Sequence, residues 1–183
     1  MQYTLRGATA SAAVVFMAAA MAHGTAQAQN ALPCIILGDS IAQGAAQNAP
    51  QCTALAKKGI TSWAWLSDYG SRDILRSEQV AVVISLGSND GQDAAKSLVA
   101  LVSLRQLIAA PSVAWIAPGP RFAAREQVRR VAEHFGDLYY ERPVEQSAAD
   151  GVHFRKLGYE RIAELARQMA GQIAEQRGDR QPQ

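Results

Sequence analysis

The sequence predicts an α/β fold: a central sheet of about five parallel strands with helices packed against it. Three observations carry this. From residue 34 onward, short apolar runs alternate with longer stretches of helical periodicity. The clearest run, QVAVVISLG at 79–87, is β-branched and apolar almost throughout, as in a strand covered on both faces. The apolar runs stop at glycine- or proline-marked turns, with no internal repeat and no linker, so one domain is expected.

Residues 1–28 read as a cleaved export signal preceding that domain. Arg6 is followed by the small, apolar run ATASAAVVFMAAAMA and then by an Ala26-Gln27-Ala28 ending. The run is shorter than the roughly 20 residues that span a bilayer, and it is rich in Ala, which argues against a retained anchor. Removing it leaves a chain of ordinary single-domain length, expected to occupy 29–176 with a flexible tail at 177–183. With 18 basic and 16 acidic residues in all, the chain is close to neutral, which gives no footing for nucleic acid or an anionic membrane surface as partner. No stable membrane insertion is expected once the signal is gone, and the product would be periplasmic or secreted.

The elements follow in order. CIILG at 34–38 is the first strand, and IAQGAAQN is a short helical or irregular piece. TALAKK at 53–58 is a weak second strand running toward Gly59. TSWAWLSDYGSRDIL at 61–75 reads as a helix capped by Thr61 or Ser62. After the third strand, GQDAAKSLVALVSLRQLIAA at 91–110 is a long helix stopped by Pro111, and SVAWIA at 112–117 is the fourth strand. AAREQVRRVAEHFG sets Val128, Val131 and Phe135 on one helical face and stops at Gly136. LYYERPVE at 138–145 is the fifth strand. The last helix, from Leu157 to Gln176, carries Ile162, Leu165, Met169 and Ile173 along one stripe.

Export would place the only two cysteines in an oxidising compartment. Cys34 opens the first strand and Cys52 opens the second segment. On neighbouring parallel strands these positions fall within disulfide reach, so a Cys34–Cys52 bridge is expected. Cys and His do not cluster, so no metal is expected.

In a parallel α/β sheet, ligands sit at the carboxyl ends of the strands. That rule gathers Ser40, Gly59, the GSND at 87–90, the turn after Ala117 and the loop after the fifth strand along one rim. The GDS at 38–40 has three competing readings: an ordinary strand-to-helix turn, a phosphate cradle, or a serine nucleophile. A phosphate loop needs Lys and Ser or Thr after its second Gly, but Gly44 is followed by Ala45-Ala46. The dinucleotide glycine pattern and the Gly-x-Ser-x-Gly elbow are missing as well. A serine nucleophile needs an imidazole base and a carboxylate to orient it. Asp150 and His153, three residues apart on a loop beyond the last strand, offer both, although the same two residues also suit turn and helix capping. Asn89 after the best strand and Gly59 after the second, with the Ser40 amide, are placed to meet an oxyanion.

In order, GDS at 38–40, Gly59 in GITS, GSND at 87–90 and DGVH at 150–153 resemble the sequence blocks of the GDSL/SGNH hydrolases, and they span nearly the whole chain after the signal. The resemblance implies a flavodoxin-like three-layer α/β/α sandwich and an esterase or lipase-type hydrolase using no cofactor. It makes Ser40 the nucleophile, His153 the general base, Asp150 its orienting partner, and Gly59, Asn89 and the Ser40 amide the oxyanion donors. Ile41 stands where the family usually has Leu. Ile41 and Trp63 are carried as substrate contacts, with core packing the ordinary alternative for Trp63 and Trp65; Trp115, inside a strand, reads as core. The short connections leave little material for a lid. Small acyl esters, acetyl-type on carbohydrate, are therefore the expected substrates. A lysophospholipase or short-chain lipid esterase is the alternative in the same chemistry, and a non-catalytic carbohydrate-binding or assembly protein the alternative in another class.

Overall fold

The computed structural model describes residues 33–178. The expected signal at 1–28 and residues 179–183 of the expected tail lie outside the described residues. No helix among the described residues is long and apolar enough to cross a membrane.

Five strands form one all-parallel sheet in the order β2-β1-β3-β4-β5, with β1 Cys34–Gly38, β2 Thr53–Ala56, β3 Ala81–Ser85, β4 Ser112–Ile116 and β5 Leu138–Tyr140. Five helices connect and cover them: α1 Ser40–Ala46, α2 Ser62–Tyr69, α3 Ala94–Leu107, α4 Ala124–Phe135 and α5 Lys156–Gly178. The strand pleat sorts alternate residues to the two faces. Ile36, Val83, Ala114 and Ile116 face a core completed by Ala42 and Ala45 of α1 and by Ile162, Ala166 and Met169 of α5. Ile35, Leu37, Val82, Ile84 and Trp115 face a second core completed by Trp65 of α2, Leu101 and Leu104 of α3, and Val128 and Val131 of α4. The result is the three-layer α/β/α sandwich expected from the sequence.

Local differences have local causes. The helix expected over 61–75 stops at Gly70, and Asp73–Arg76 forms a separate 3₁₀ turn. The helix expected from Gly91 starts only after Asp93, whose carboxylate accepts the Lys96 amide as an N-cap. β5 ends at Tyr140, ahead of Pro143, which lacks the amide a longer ladder would use. α5 runs on to Gly178, and Leu165 lies at the flank of its buried stripe, where Ala163, Ala166 and Ala170 take the interior. α4 matches expectation closely: Gly136 ends it at φ 69°, in the left-handed conformation.

The register of the two left-hand strands puts Ile35 beside Thr53, and hence Cys34 beside Cys52. The two are disulfide-bonded, with Cα atoms 4.7 Å apart. The bridge ties the start of β1 to the edge strand β2 across 18 residues of sequence. Replacing both cysteines by Ser should lower the unfolding free energy by about 3 kcal/mol, the chain-entropy value for a loop of this size. Denaturant melts of the oxidised protein and the double variant check this.

Candidate active site

The order β2-β1-β3 reverses the direction in which the chain lays down strands. The crevice at the carboxyl ends of β1 and β3 is the place where such folds bind ligands. Gly38 makes the exit of β1 possible. Its φ is +135°, and a Cβ added there would lie 1.8 Å from the Ser85 carbonyl oxygen at the end of β3. The chain presses against β3 at this point, and the Asp39 amide donates to that same carbonyl at 2.9 Å.

Asp39 caps α1: its buried carboxylate accepts the Ile41 amide at 2.9 Å and the Ser85 hydroxyl at 3.2 Å. Burial pushes its carboxyl up to about 6, with the Ile41 amide and the Ser85 hydroxyl pulling the other way. Ser40 is the first residue of α1 and half-buried, and the cap leaves its own amide free of the carboxylate.

The loop after β5 supplies the other half. Residues 146–148 and 153–155 pair antiparallel, through Ala148 N to His153 O at 2.9 Å and Arg155 N to Gln146 O at 2.7 Å. Asp150 and Gly151 form the tip. One oxygen of Asp150 accepts the amides of Val152 and His153, at 2.8 and 2.9 Å, which is the self-turning habit of Asp in loops. The other oxygen lies 2.7 Å from His153 Nδ1. These contacts, the imidazole first and then the two amides, hold the Asp150 carboxyl well below the usual carboxylate range. A carboxylate can only accept, so Nδ1 carries the proton and Nε2 of the neutral ring is the acceptor. Ser40 Oγ stands 3.1 Å from that Nε2. Side chains from opposite ends of the chain thus form one continuous hydrogen-bonded series: carboxylate, imidazole, hydroxyl. Chemically, it can draw the proton from the serine as the oxygen attacks.

The series is open to solvent. The His153 and Asp150 side chains keep 38% and 50% of their exposure.

The two loops expected to meet an oxyanion are tied together. Asn89 is half-buried, and its side-chain amide donates to the Ile60 carbonyl at 3.1 Å, leaving its second N–H available. Asp90, 3% exposed, accepts the Ser62 amide and the Ser62 hydroxyl, both at 2.7 Å. Gly59, at φ +76° and exposed, sits just before Ile60. Sequence reasoning used Asn89 of GSND and gave Ser62 only a capping role, which Thr61 takes; it passed over the pairing of Asp90 with Ser62, which locks the β3 exit to the start of α2. It also passed over Ser85, although a hydroxyl closing the apolar run AVVIS was a visible signal.

Ile41 is 1% exposed, and its side chain is taken up by the core beneath α1, which corrects its assignment as a contact. Trp63 lines an open groove of about 510 Å³ between α2 and α3, with Lys96 Nζ 3.9 Å from its ring centre. None of Ser40, Asp150 or His153 lines that groove. Trp65 and Trp115 are core; their indole N–H groups are satisfied by Leu55 O and Asp137, each at 2.8 Å.

No protein-family model and no curated protein sequence matches this chain. Solved structures do. An esterase, EstA from Pseudoalteromonas, aligns over 79% of this chain and 99% of its own at 18% identity, with TM-score 0.52. The C-terminal catalytic domain of the peptidoglycan O-acetyltransferase A of Streptococcus pneumoniae aligns over 78% and 94% at 14% identity, with TM-score 0.53. Est24, a carbohydrate acetylesterase from Sinorhizobium meliloti, aligns over 78% and 98% at 14% identity, with TM-score 0.50. These neighbours are two esterases and the catalytic domain of an O-acetyltransferase, and the chain shares their fold.

The buried Asp39 carboxyl gives a stability prediction with a definite sign. Its native value is raised, so the native state is penalised as the pH climbs from about 4 to about 6 and carries the full cost above that. Asp39→Asn keeps a capping oxygen and removes the charge. It should be more stable than wild type near pH 8, by roughly 2–3 kcal/mol. That advantage should vanish near pH 3, where both states of the wild type are protonated. Denaturant melts at the two pH values read the difference.

Proposed function

We propose that the protein is an exported serine hydrolase of residues 29–176 that cleaves small acyl esters, acetyl-type on carbohydrate or envelope glycans, through an acyl-enzyme. The observation that carries this reading is the 3.1 Å contact between Ser40 Oγ and His153 Nε2, with Asp150 behind the imidazole. In the first step His153 takes the Ser40 proton as Oγ bonds to the ester carbonyl carbon. The Ser40 and Gly59 amides and the free N–H of Asn89 stabilise the oxyanion, and the C–O bond to the alcohol breaks as His153 returns the proton to the leaving oxygen. Water then repeats the sequence on the acyl-enzyme and releases the acid. Asp150 stays ionised throughout and stabilises the imidazolium that forms in each half.

The acetyl-carbohydrate assignment is supported by the solvent exposure of the His153 and Asp150 side chains, which leaves the rim open to an acyl substituent on a bulky chain. A carbohydrate acetylesterase and a peptidoglycan O-acetyltransferase stand among the structural neighbours. The disulfide is compatible with export. A purely binding protein on this fold would have no use for a Ser–His–Asp series.

A fluorophosphonate should label Ser40 in the purified protein, and both Ser40→Ala and His153→Ala should abolish labelling and lower turnover of a small acetyl ester by orders of magnitude. A protein that takes no label and hydrolyses no ester of any chain length would be a binder instead. A panel of graded acyl esters and acetylated polysaccharides separates acetyl-carbohydrate from lysophospholipid substrates. Asn89→Ala should lower kcat by about 100-fold or more if its amide meets the oxyanion; a smaller loss moves that role to another donor.

A further inference from the structure

Arg142, just beyond the end of β5, is the one charged side chain among the described residues that is buried with no hydrogen-bond partner on any of its nitrogens. Its residue exposure is 8%, and Nε and both terminal nitrogens are all enclosed. The guanidinium lies 4.0 Å above the ring centre of Phe154, the neighbour of His153 in sequence. Phe154 is itself 4% exposed and leans on Tyr159 of α5, ring centres 5.9 Å apart.

A second buried polar atom is also without a protein partner: Asp39 Oδ2, on the residue preceding Ser40. Within electrostatic reach of Arg142 are Tyr159 on α5, Asp39 at the start of α1, the cation Arg125 on α4 and Asp150 on the hairpin tip. Asp39 in turn lies within electrostatic reach of His153.

An enclosed cation lacking hydrogen bonds is costly unless anions are held near it. Here the two anions are each one to three residues from a member of the Ser40–His153 pair. Arginine keeps its charge even where burial lowers its proton affinity, as it does at this position. The cation therefore favours the arrangement in which the Asp39 and Asp150 segments stand close to β5 and to each other. Its stacking on Phe154 fixes the base of the hairpin that presents the imidazole.

We propose that Arg142 is a positioning residue: its buried charge and its stacking on Phe154 hold the Asp39–Ser40 turn and the Asp150–His153 hairpin together and set the electrostatic field at the imidazole. This rests on the hydrolase reading for its effect on turnover, but not for its effect on the imidazole. Two substitutions separate charge from shape. Arg142→Met keeps a long apolar stem over Phe154 and removes the cation; Arg142→Lys keeps the cation and loses the planar stacking.

The sign is fixed by the geometry. A nearby cation disfavours imidazolium and a nearby anion favours it. Followed by NMR, with the signal assigned by its loss in His153→Asn, the midpoint of the His153 titration should move up in Arg142→Met and down in Asp39→Asn. Each displacement should be about half a pH unit or more. Arg142→Lys should keep the wild-type midpoint. With a small acetyl ester, Arg142→Met should lose about 10-fold or more in kcat with KM little changed, and the acid limb of its pH–rate profile should move to higher pH.

Opposite displacements in the two neutralised variants are not produced by simple loosening of the fold. An unmoved or downward midpoint in Arg142→Met overturns the proposal, as does an unmoved midpoint in Asp39→Asn. If Arg142→Met does not fold, Arg142→Gln, which also removes the cation, takes its place: an upward midpoint sustains the proposal and an unmoved or downward one overturns it. The NMR arm reads the imidazole whether or not an ester is hydrolysed. An inactive wild type would therefore defeat the hydrolase reading alone, and unmoved midpoints in an active enzyme would defeat the role of Arg142 alone.

Discussion

The close approach of Gly38 to the Ser85 carbonyl is the constraint on which the rest of the site depends. Two parallel strands normally separate at their carboxyl ends as the chain leaves for a helix. Here β1 leaves while still pressed on β3, through a hydrogen bond from the Asp39 amide. No side chain larger than hydrogen fits at 38. The turn delivers Ser40 to the helix start directly over the switch between β1 and β3, and the first turn of α1 is fixed there by Asp39. A serine one residue earlier or later on this path would be enclosed, as Asp39 and Ile41 are.

Everything opposite Ser40 arrives from far along the chain, and it is held by local chemistry more than by deep burial. The Asp150 carboxylate builds its own turn with two amides and orients the imidazole with its remaining oxygen. The hairpin base is paired at Ala148 and Arg155, and Gly119 of the β4 exit packs so closely against Gly151 that an added Cβ would lie 2.5 Å from its carbonyl oxygen. The polar clasp of Asp90 on Ser62 performs the same service on the other side, joining the β3 exit to α2. Three loops, each self-supporting, therefore meet at one edge of a rigid sheet.

Much of this was legible in the sequence because it follows from chain direction. Alternating strands and helices imply a parallel sheet, a parallel sheet places its loops on one rim, and Ser40, Asn89 and the Asp150–His153 hairpin all follow strand ends. The disulfide was readable for the same reason, since Cys34 and Cys52 occupy matching places on adjacent strands. What could not be read are properties of packing partners. Ile41 follows the serine and invites a role toward substrate, yet the helical turn after Asp39 points it inward. Gly44 resembles part of a glycine loop, but its place is explained by Tyr159 of α5, whose ring would lie 2.6 Å from an added Cβ. Arg142, between a short strand and a proline, gives no hint in sequence that it will be enclosed. The exits of strands are written in the local chain; what leans on them from α5 or β5 is not.

The bridge between Cys34 and Cys52 has a further consequence for behaviour in company. β2 is only four residues long and lies at the border of the sheet with its first half exposed. A ribbon so brief is the piece most easily peeled away, and its departure would uncover the flank of the strand that leads to Ser40. Riveting its leading end to the neighbouring strand keeps that flank occupied. It denies a second molecule the place on β1 that a departing β2 would leave open to an exchanged strand.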